Sequence, residues 1–327
     1  MKLIFIPFFL LTIAASYGQM IYKKKLSMLG SPFEITVVAK DSLQGNEYAN
    51  LAVLEVKRIE NLISDWIPTT QISQVNKYAG IRAVKVDEEV FDLVERALKI
   101  SKITNGAFDI SYASMDKIWK FDGSMTEMPT EEAIKKSVER IGYQKVILDK
   151  KNQTIFLKDV GMKLGLGGIG QGYIADKIKE LLQTKGSTSG IVNVSGDINT
   201  WGKQPDGKPW TVAIVNPINK NKVFATFPLN DSAVETSGSY EKYVTFNGIR
   251  YSHIIDPRTG YPAQGVVSVS VFAKQTEIAD ALATGIFVLG VDVGLDLVNQ
   301  IKGIQCIIVD DKGKIHTSKG INIDNKK

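Results

Sequence analysis

The chain has 327 residues, of which 44% are hydrophobic and 23% charged, with a formal net charge of +5. This is the balance of a soluble globular protein with ample core, in one large domain or two intimately packed ones. The lysines are scattered; the one run of three, Lys23-Lys24-Lys25, and the pair Lys326-Lys327 lie near the termini. That pattern reads as solvated surface and argues against nucleic acid as a partner.

Met1-Lys2 and the apolar run 3–15 read as a signal peptide. Small residues in Ser16-Tyr17-Gly18 predict cleavage before Gln19, which leaves 19–327 as one exported domain. The run is short for a bilayer and holds Pro7, and no cysteine lies near the cleavage point to carry a lipid anchor. The one cysteine, Cys306, sits in an apolar strand-like run, so an internal disulfide is impossible and a buried thiol is expected.

Along the mature chain, 33–39 alternates as a strand, and 46–62 has helical periodicity. Residues 64–80 read as a polar loop holding Trp66 and Pro68. A second amphipathic helix over 88–104 ends at Asn105-Gly106, and a third covers 130–142. Strands are predicted at 145–148 and 154–157, a helix at 172–182 and a buried strand at 190–194. The polar, Gly-rich stretch 195–209 is the one plausible seam. Strands follow at 210–215, 223–228, 233–236, 243–246, 250–254 and 266–273, with Asn247-Gly248 as a hairpin turn. The Asp280 helix, a helix at 293–301 and strands at 305–309 and 314–317 complete the chain. There is no repeat or heptad. The predicted class is α+β, a single unit with mixed, largely antiparallel sheets and packed helices.

Several segments carry chemistry. Asp280 and Thr284 stand four apart in an apolar helical segment, so they share a face and offer two hard oxygens to a cation such as Mg²⁺. The plainer alternative is an Asp that caps the helix start and a Thr that bonds back to a carbonyl. Gly165, Gly167 and Gly170 have the spacing of a dinucleotide fingerprint, but hairpin-like strands precede them and the acidic residue is misplaced. What survives is close backbone approach to a ligand, with N–H groups near Gly172 offered to a phosphate. Tight packing of a turn is the alternative. His253-Ile-Ile-Asp256-Pro257-Arg258-Thr259-Gly260 gathers His, Asp, Arg and Thr at a strand end. His316 reads as an exposed strand residue. Asn193-Val-Ser195-Gly196-Asp197 and Thr236-Ser237-Gly238-Ser239-Tyr240 put polar groups near strand ends, as a ligand site or as turn chemistry.

Taken in order, these blocks resemble the FAD:protein FMN transferase family, also called the ApbE family. They are Gly167-Gly-Ile-Gly-Gln-Gly-Tyr-Ile-Ala-Asp176, Asn193-Val-Ser-Gly-Asp-Ile198, Thr236-Ser-Gly-Ser-Tyr240, His253 to Gly260, and Ala279-Asp-Ala-Leu-Ala-Thr-Gly285. The resemblance implies an exported, periplasmic, Mg²⁺-dependent enzyme that transfers FMN from FAD to a Thr or Ser of a target protein and releases AMP. Implied targets are flavin-acceptor subunits of membrane redox complexes, of the Na⁺-pumping NADH:quinone reductase or Rnf type. It also implies side-chain metal ligands Asp280 and Thr284, with the Gly168 carbonyl as a backbone ligand. Met28, Trp66, Ala107, Phe108, Asp109, Gly165, Gln171 and Ile255 match FAD-contacting positions. Many members have Asp where Gly165 stands and Lys or Glu where Gln171 stands. The expected reaction is attack of a hydroxyl on the FMN-side phosphorus, with His253 or Asp256 positioning or deprotonating it and Arg258 structural. Alternatives are an FAD pyrophosphatase giving FMN and AMP, or an exported FAD-binding protein without turnover.

Overall fold

The computed structural model describes residues 19–215, 217, 223–239 and 242–321. The expected signal peptide, 1–18, and Tyr240 lie outside the described residues. In chain order the elements are β1 (Met20–Met28), β2 (Ser31–Ala39), α1 (Ser42–Ile63), α2 (Gln71–Lys77), β3 (Val84–Lys85) and α3 (Glu88–Ile103). Next come α4 (Glu131–Ser137), β4 (Val146–Asp149), β5 (Thr154–Leu157), α5 (Gly167–Thr184), β6 (Gly190–Val194) and β7 (Asp197–Trp201). Then follow β8 (Trp210–Val215), β9 (Val223–Leu229), β10 (Ala233–Gly238), β11 (Tyr243–Phe246), β12 (Ile249–Ser252) and β13 (Val266–Ala273). The last are α6 (Thr276–Leu289), α7 (Val291–Val298), β14 (Gln305–Asp310) and β15 (Ile315–Thr317).

An eight-stranded sheet, ordered β1-β2-β6-β7-β10-β13-β14-β15 and antiparallel at each pairing, forms the centre. Helices α1, α5, α6 and α7 follow one another across it, α1 on β1 and β2, α5 on β6 and β7, α6 on β10 and β13, α7 on β14. Their apolar faces and the sheet make the main core, which includes Ile35, Val56, Ile59, Ile178, Val269, Ile286 and Phe287. The β8–β9 hairpin brings Val212, Ile214 and Phe227 to Ile191, Ile198, Val234 and Phe272, a second cluster at the same sheet. Strands β3-β5-β4 and the β11–β12 hairpin form separate small sheets.

Local chemistry sets the element ends. Asp41 accepts from the Gln44 backbone N–H at 2.8 Å while the Gln44 side chain accepts from Lys40 N–H at 3.0 Å, a reciprocal cap that starts α1. Asn105 and Gly106, at φ 49° and 77°, turn the chain out of α3 in the left-handed region.

Four expectations change. The polar loop 64–80 contains α2, started by Thr70 accepting from Ser73 N–H. The lysine run lies in β1, an edge strand, where Lys23 and Lys25 pair with Glu34 across the hairpin. Charge on an edge strand discourages further pairing, and it also masks the strand's apolar signal. The expected seam at 195–209 holds β7, an interior strand of the central sheet. His316 is half-buried in β15 and pairs with Asp310 at 2.9 Å, so it is not an exposed strand residue. Cys306 is a buried free thiol, pushed up to about 11 by burial.

Candidate functional site

The chemistry concentrates where the start of α5 meets α6. Helix α5 begins at Gly167, earlier than periodicity predicts, because Gly168 leaves helical geometry at φ −94°, ψ 21° and a short glycine-rich turn joins the helix proper. The two helices approach so closely that a β-carbon on Gly172 would stand 2.5 Å from the Thr276 carbonyl oxygen. Only glycine allows that crossing. In consequence the Gly172 N–H donates to Asp280 Oδ2 at 3.2 Å. It is therefore engaged by protein, which corrects the expectation that N–H groups near Gly172 stand ready for a phosphate.

Asp176, one turn further along α5, caps α6 from outside. Its carboxylate accepts from Thr276 N–H and Oγ1, both at 2.8 Å, from Glu277 N–H at 3.0 Å and from Asn199 Nδ2 at 2.6 Å. Asp280 is thereby released from capping its own helix. Thr284 Oγ1 forms no hydrogen bond among the described residues, whereas Thr104 does bond back to the Ile100 carbonyl. The Thr half of the alternative fails, whereas Asp280 does satisfy a backbone donor, though that of Gly172 on α5 and not one of its own helix. A β-carbon on Gly168 would lie 3.5 Å from Thr284 Oγ1 and 3.4 Å from the Phe108 ring, so Gly168, Thr284 and Phe108 line one corner.

Electrostatically the corner is a buried acid cluster. Burial pushes Asp280 up to about 7, and the Asp176 charge adds to the rise. Asp197 and Glu235, on the neighbouring strands β7 and β10, are buried and held well above the carboxylate range by burial and by the charge of Asp280. Asp197 Oδ1 and Ser195 Oγ are buried without a hydrogen-bond partner among the described residues. A buried carboxylate with so little compensation calls for a proton or a cation. No cluster of three or more His, Cys, Asp or Glu among the described residues has a metal-binding arrangement. The donor set at the corner is of another kind: one carboxylate, one hydroxyl and a glycine backbone, all oxygen, which suits a hard cation that keeps water and phosphate ligands.

The other expected residues form a rim. Phe108 and Gly106 connect α3 to a 3-10 turn, Ile110–Ser114, capped by Asp109. Asp109 is buried and accepts from Ser111 N–H, Ser111 Oγ and Tyr143 N–H, so its side chain shapes the loop that presents Ala107 and Phe108. Gly165 N–H donates to the Ile110 carbonyl at 2.8 Å, fastening the glycine-rich turn to the same loop. Gln171 is half-buried on α5. Trp66 is 77% exposed, with Lys117 Nζ 4.7 Å from its ring centre, so it is not a core residue. Met28 ends β1, in a hairpin whose Pro32 carbonyl accepts from Ser195 N–H.

The His253–Gly260 segment meets the rim at Gly106. Asp256 is gripped by Arg258 through Nε and NH2, both at 2.8 Å. Ile255 is buried beside Trp119, whose indole N–H donates to the Gly260 carbonyl. The Arg258 stem passes over Gly106, which links this turn to the Phe108 loop. His253 Nδ1 lies 3.1 Å from the Lys242 carbonyl and its ring meets Phe121 edge-on. A carbonyl only accepts, so that nitrogen is the donor of this contact. Sequence reasoning missed the roles of Asp176 and Glu235, since a cap from another helix and a carboxylate inside a sheet leave no local pattern.

A groove between α1, α3 and α5 contains none of these residues. Its Arg58 is paired with Glu55 and Glu89, and its Arg96 with Glu277.

Comparison with known proteins agrees with the geometry. Residues 29–308 match the model of the ApbE family. The chain is 34% identical over 265 residues to the FAD:protein FMN transferase of Treponema pallidum, covering 76% of this chain and 73% of that one. It is 29% identical over 291 residues to one from Klebsiella pneumoniae, covering 88% and 89%. The crystal structure of the ApbE protein of Thermotoga maritima superposes with a TM-score of 0.83 at 32% identity, over 92% of this chain and 97% of that one. The chain belongs to the ApbE family, and its relatives over most of its length are FAD:protein FMN transferases.

Proposed function

We propose that the protein transfers FMN from FAD to a Thr or Ser hydroxyl of an exported acceptor protein, with Mg²⁺, and releases AMP. The observation that carries this reading is the α5–α6 corner. There Asp280 is freed from capping by Asp176, and Thr284 keeps an unengaged hydroxyl beside the Gly168 backbone. Asp280, Thr284 and the Gly168 carbonyl would hold the Mg²⁺. When bound, the cation supplies charge neutralisation at the pyrophosphate oxygens.

Trp66 offers a flat face to a ring of FAD, and Met28, Ala107, Phe108, Gly165, Gln171 and Ile255 would line the remainder. Asp109 serves by holding the 3-10 turn. In the reaction the acceptor oxygen forms a bond to the FMN-side phosphorus as the bond to the AMP oxygen breaks. His253 takes the hydroxyl proton. Asp256, neutralised by Arg258, positions the turn instead of acting as a base. The compartment is the periplasm or the outer face of the inner membrane, and the acceptors are flavin-carrying subunits of membrane redox complexes. Among the described residues no helix is long and apolar enough to cross a membrane.

Incubation of the purified protein with FAD, Mg²⁺ and an acceptor subunit tests this. A fluorescent acceptor supports transfer. Free FMN without labelling would mean hydrolysis, and unchanged FAD would mean binding alone.

A further inference from the structure

Gly165 has no side chain, and the space one would fill is already occupied. A β-carbon there would stand 2.9 Å from Ala113 Cβ and 3.4 Å from Asp65 Oδ2. The first distance is a clash, so position 165 in this backbone does not admit a carboxylate of its own. The second shows where a carboxylate stands instead, supplied by the loop between α1 and α2.

That loop is built to hold its shape. The Ser64 carbonyl accepts from Thr70 Oγ1 at 2.6 Å and from Ser73 Oγ at 3.3 Å, and Trp66 N–H reaches Ser64 Oγ. Asp65 thus sits between two fixed points, Ser64 and the head of α2. Its carboxylate receives no hydrogen bond and no ion pair from any described residue, and it is exposed. The neighbouring Trp66 is largely exposed, with Lys117 over one face of its ring, and Gly165 is fastened to Ile110 at the rim of the site.

We propose that Asp65 is a further substrate-binding residue, whose carboxylate accepts a hydrogen bond from a neutral N–H or O–H donor of the FAD moiety that stacks on Trp66. The donor is neutral because FAD carries no cationic group near neutral pH, and a carboxylate is repelled by the pyrophosphate. Asp65 therefore serves the nucleoside side of the ligand, away from the Gly168–Thr284 corner. Either the adenosine or the flavin end has such donors, as ring N–H groups and sugar hydroxyls.

This inference rests on the FAD reading of the site, and the test separates the two. Binding of FAD, FMN and AMP in Mg²⁺ is measured for the parent protein and for Asp65→Asn and Asp65→Ala, with melting temperatures taken without ligand. Failure of the parent to bind FAD would remove the site reading itself. With parent binding established, Asp65→Ala is expected to weaken FAD by roughly tenfold and Asp65→Asn by less, as for loss of a charged acceptor. Only one of FMN and AMP should show the same loss, which identifies the end that Asp65 holds. Ligand-free melting temperatures should stay within about a degree, and KM for FAD should rise more than kcat falls. Affinities of both variants within twofold of the parent for all three ligands would overturn the proposal. So would equal losses for FMN and AMP accompanied by a lowered ligand-free melting temperature, the mark of a structural residue.

Discussion

At the scale of single residues, Asp280 joins the chemistry to stability. Burial favours its protonated form in the folded chain up to about pH 7, whereas the unfolded carboxylate has already lost its proton above about pH 4. The folded state therefore binds more protons across that window, and the stability of the metal-free protein falls as pH rises through it. Mg²⁺ needs the ionised carboxylate, so it should raise the melting temperature at pH 8 by on the order of several degrees and hardly at pH 5. Thermal melts at the two pH values check this; equal Mg²⁺ stabilisation at both would count against Asp280 as ligand. Trp66→Ala should raise the FAD dissociation constant several-fold to about tenfold, from lost ring stacking. Its 77% exposure predicts an unchanged ligand-free melting temperature. Replacing His253 with Ala should slow transfer by about 10²–10⁴ while FAD titration stays near parent values. The Asp280–Thr284 pair was legible from its spacing alone, because four residues on a helix fix a shared face. That α6 is capped by another residue was not legible, because the carboxylate that does so, Asp176, lies about a hundred residues away in sequence.

At the scale of elements, the joint between α5 and α6 positions everything else. Gly172→Ala would drive a methyl into the Thr276 carbonyl and part the helices, costing about 2 kcal/mol or more and disturbing the Gly168–Thr284 corner. Asp176→Ala would strip the first turn of α6 of its acceptor and should cost about 2–4 kcal/mol. Denaturant unfolding measures both, and near-parent midpoints would show that the joint tolerates separation. Elements with a strong period, such as α1, α3, β5, β6 and β13, follow from sequence because their buried faces repeat. Others do not. Strand β1 is hidden by its edge lysines, β7 by the Gly-rich turn before it, and α2 by its short length and polar surface. The early start of α5 is equally obscure, since a glycine that leaves helical geometry inside a helix has no periodic mark.

For the whole molecule, the α+β class and the antiparallel sheets were readable, but not the strand order. The order sets β6 beside β2 and β7 beside β10, strands from separated parts of the chain, so that Asp197 and Glu235 lie under α6. Long-range pairing of this kind has no local signature. The export proposal is checked by mass spectrometry of protein recovered from the periplasm, which should lack about the first 18 residues; an uncleaved cytoplasmic chain would contradict it. We propose that this one corner, built by two helices on one sheet, transfers FMN with a bound cation. The direct measurement is the rate of acceptor labelling, by intact mass, against Mg²⁺ concentration for the parent and for Asp280→Ala. The parent should label its acceptor with FMN at a rate that rises and saturates with Mg²⁺, and Asp280→Ala should fail to label it while remaining folded. Labelling by Asp280→Ala at the parent rate, with unchanged Mg²⁺ dependence, would exclude Asp280 as the cation's ligand.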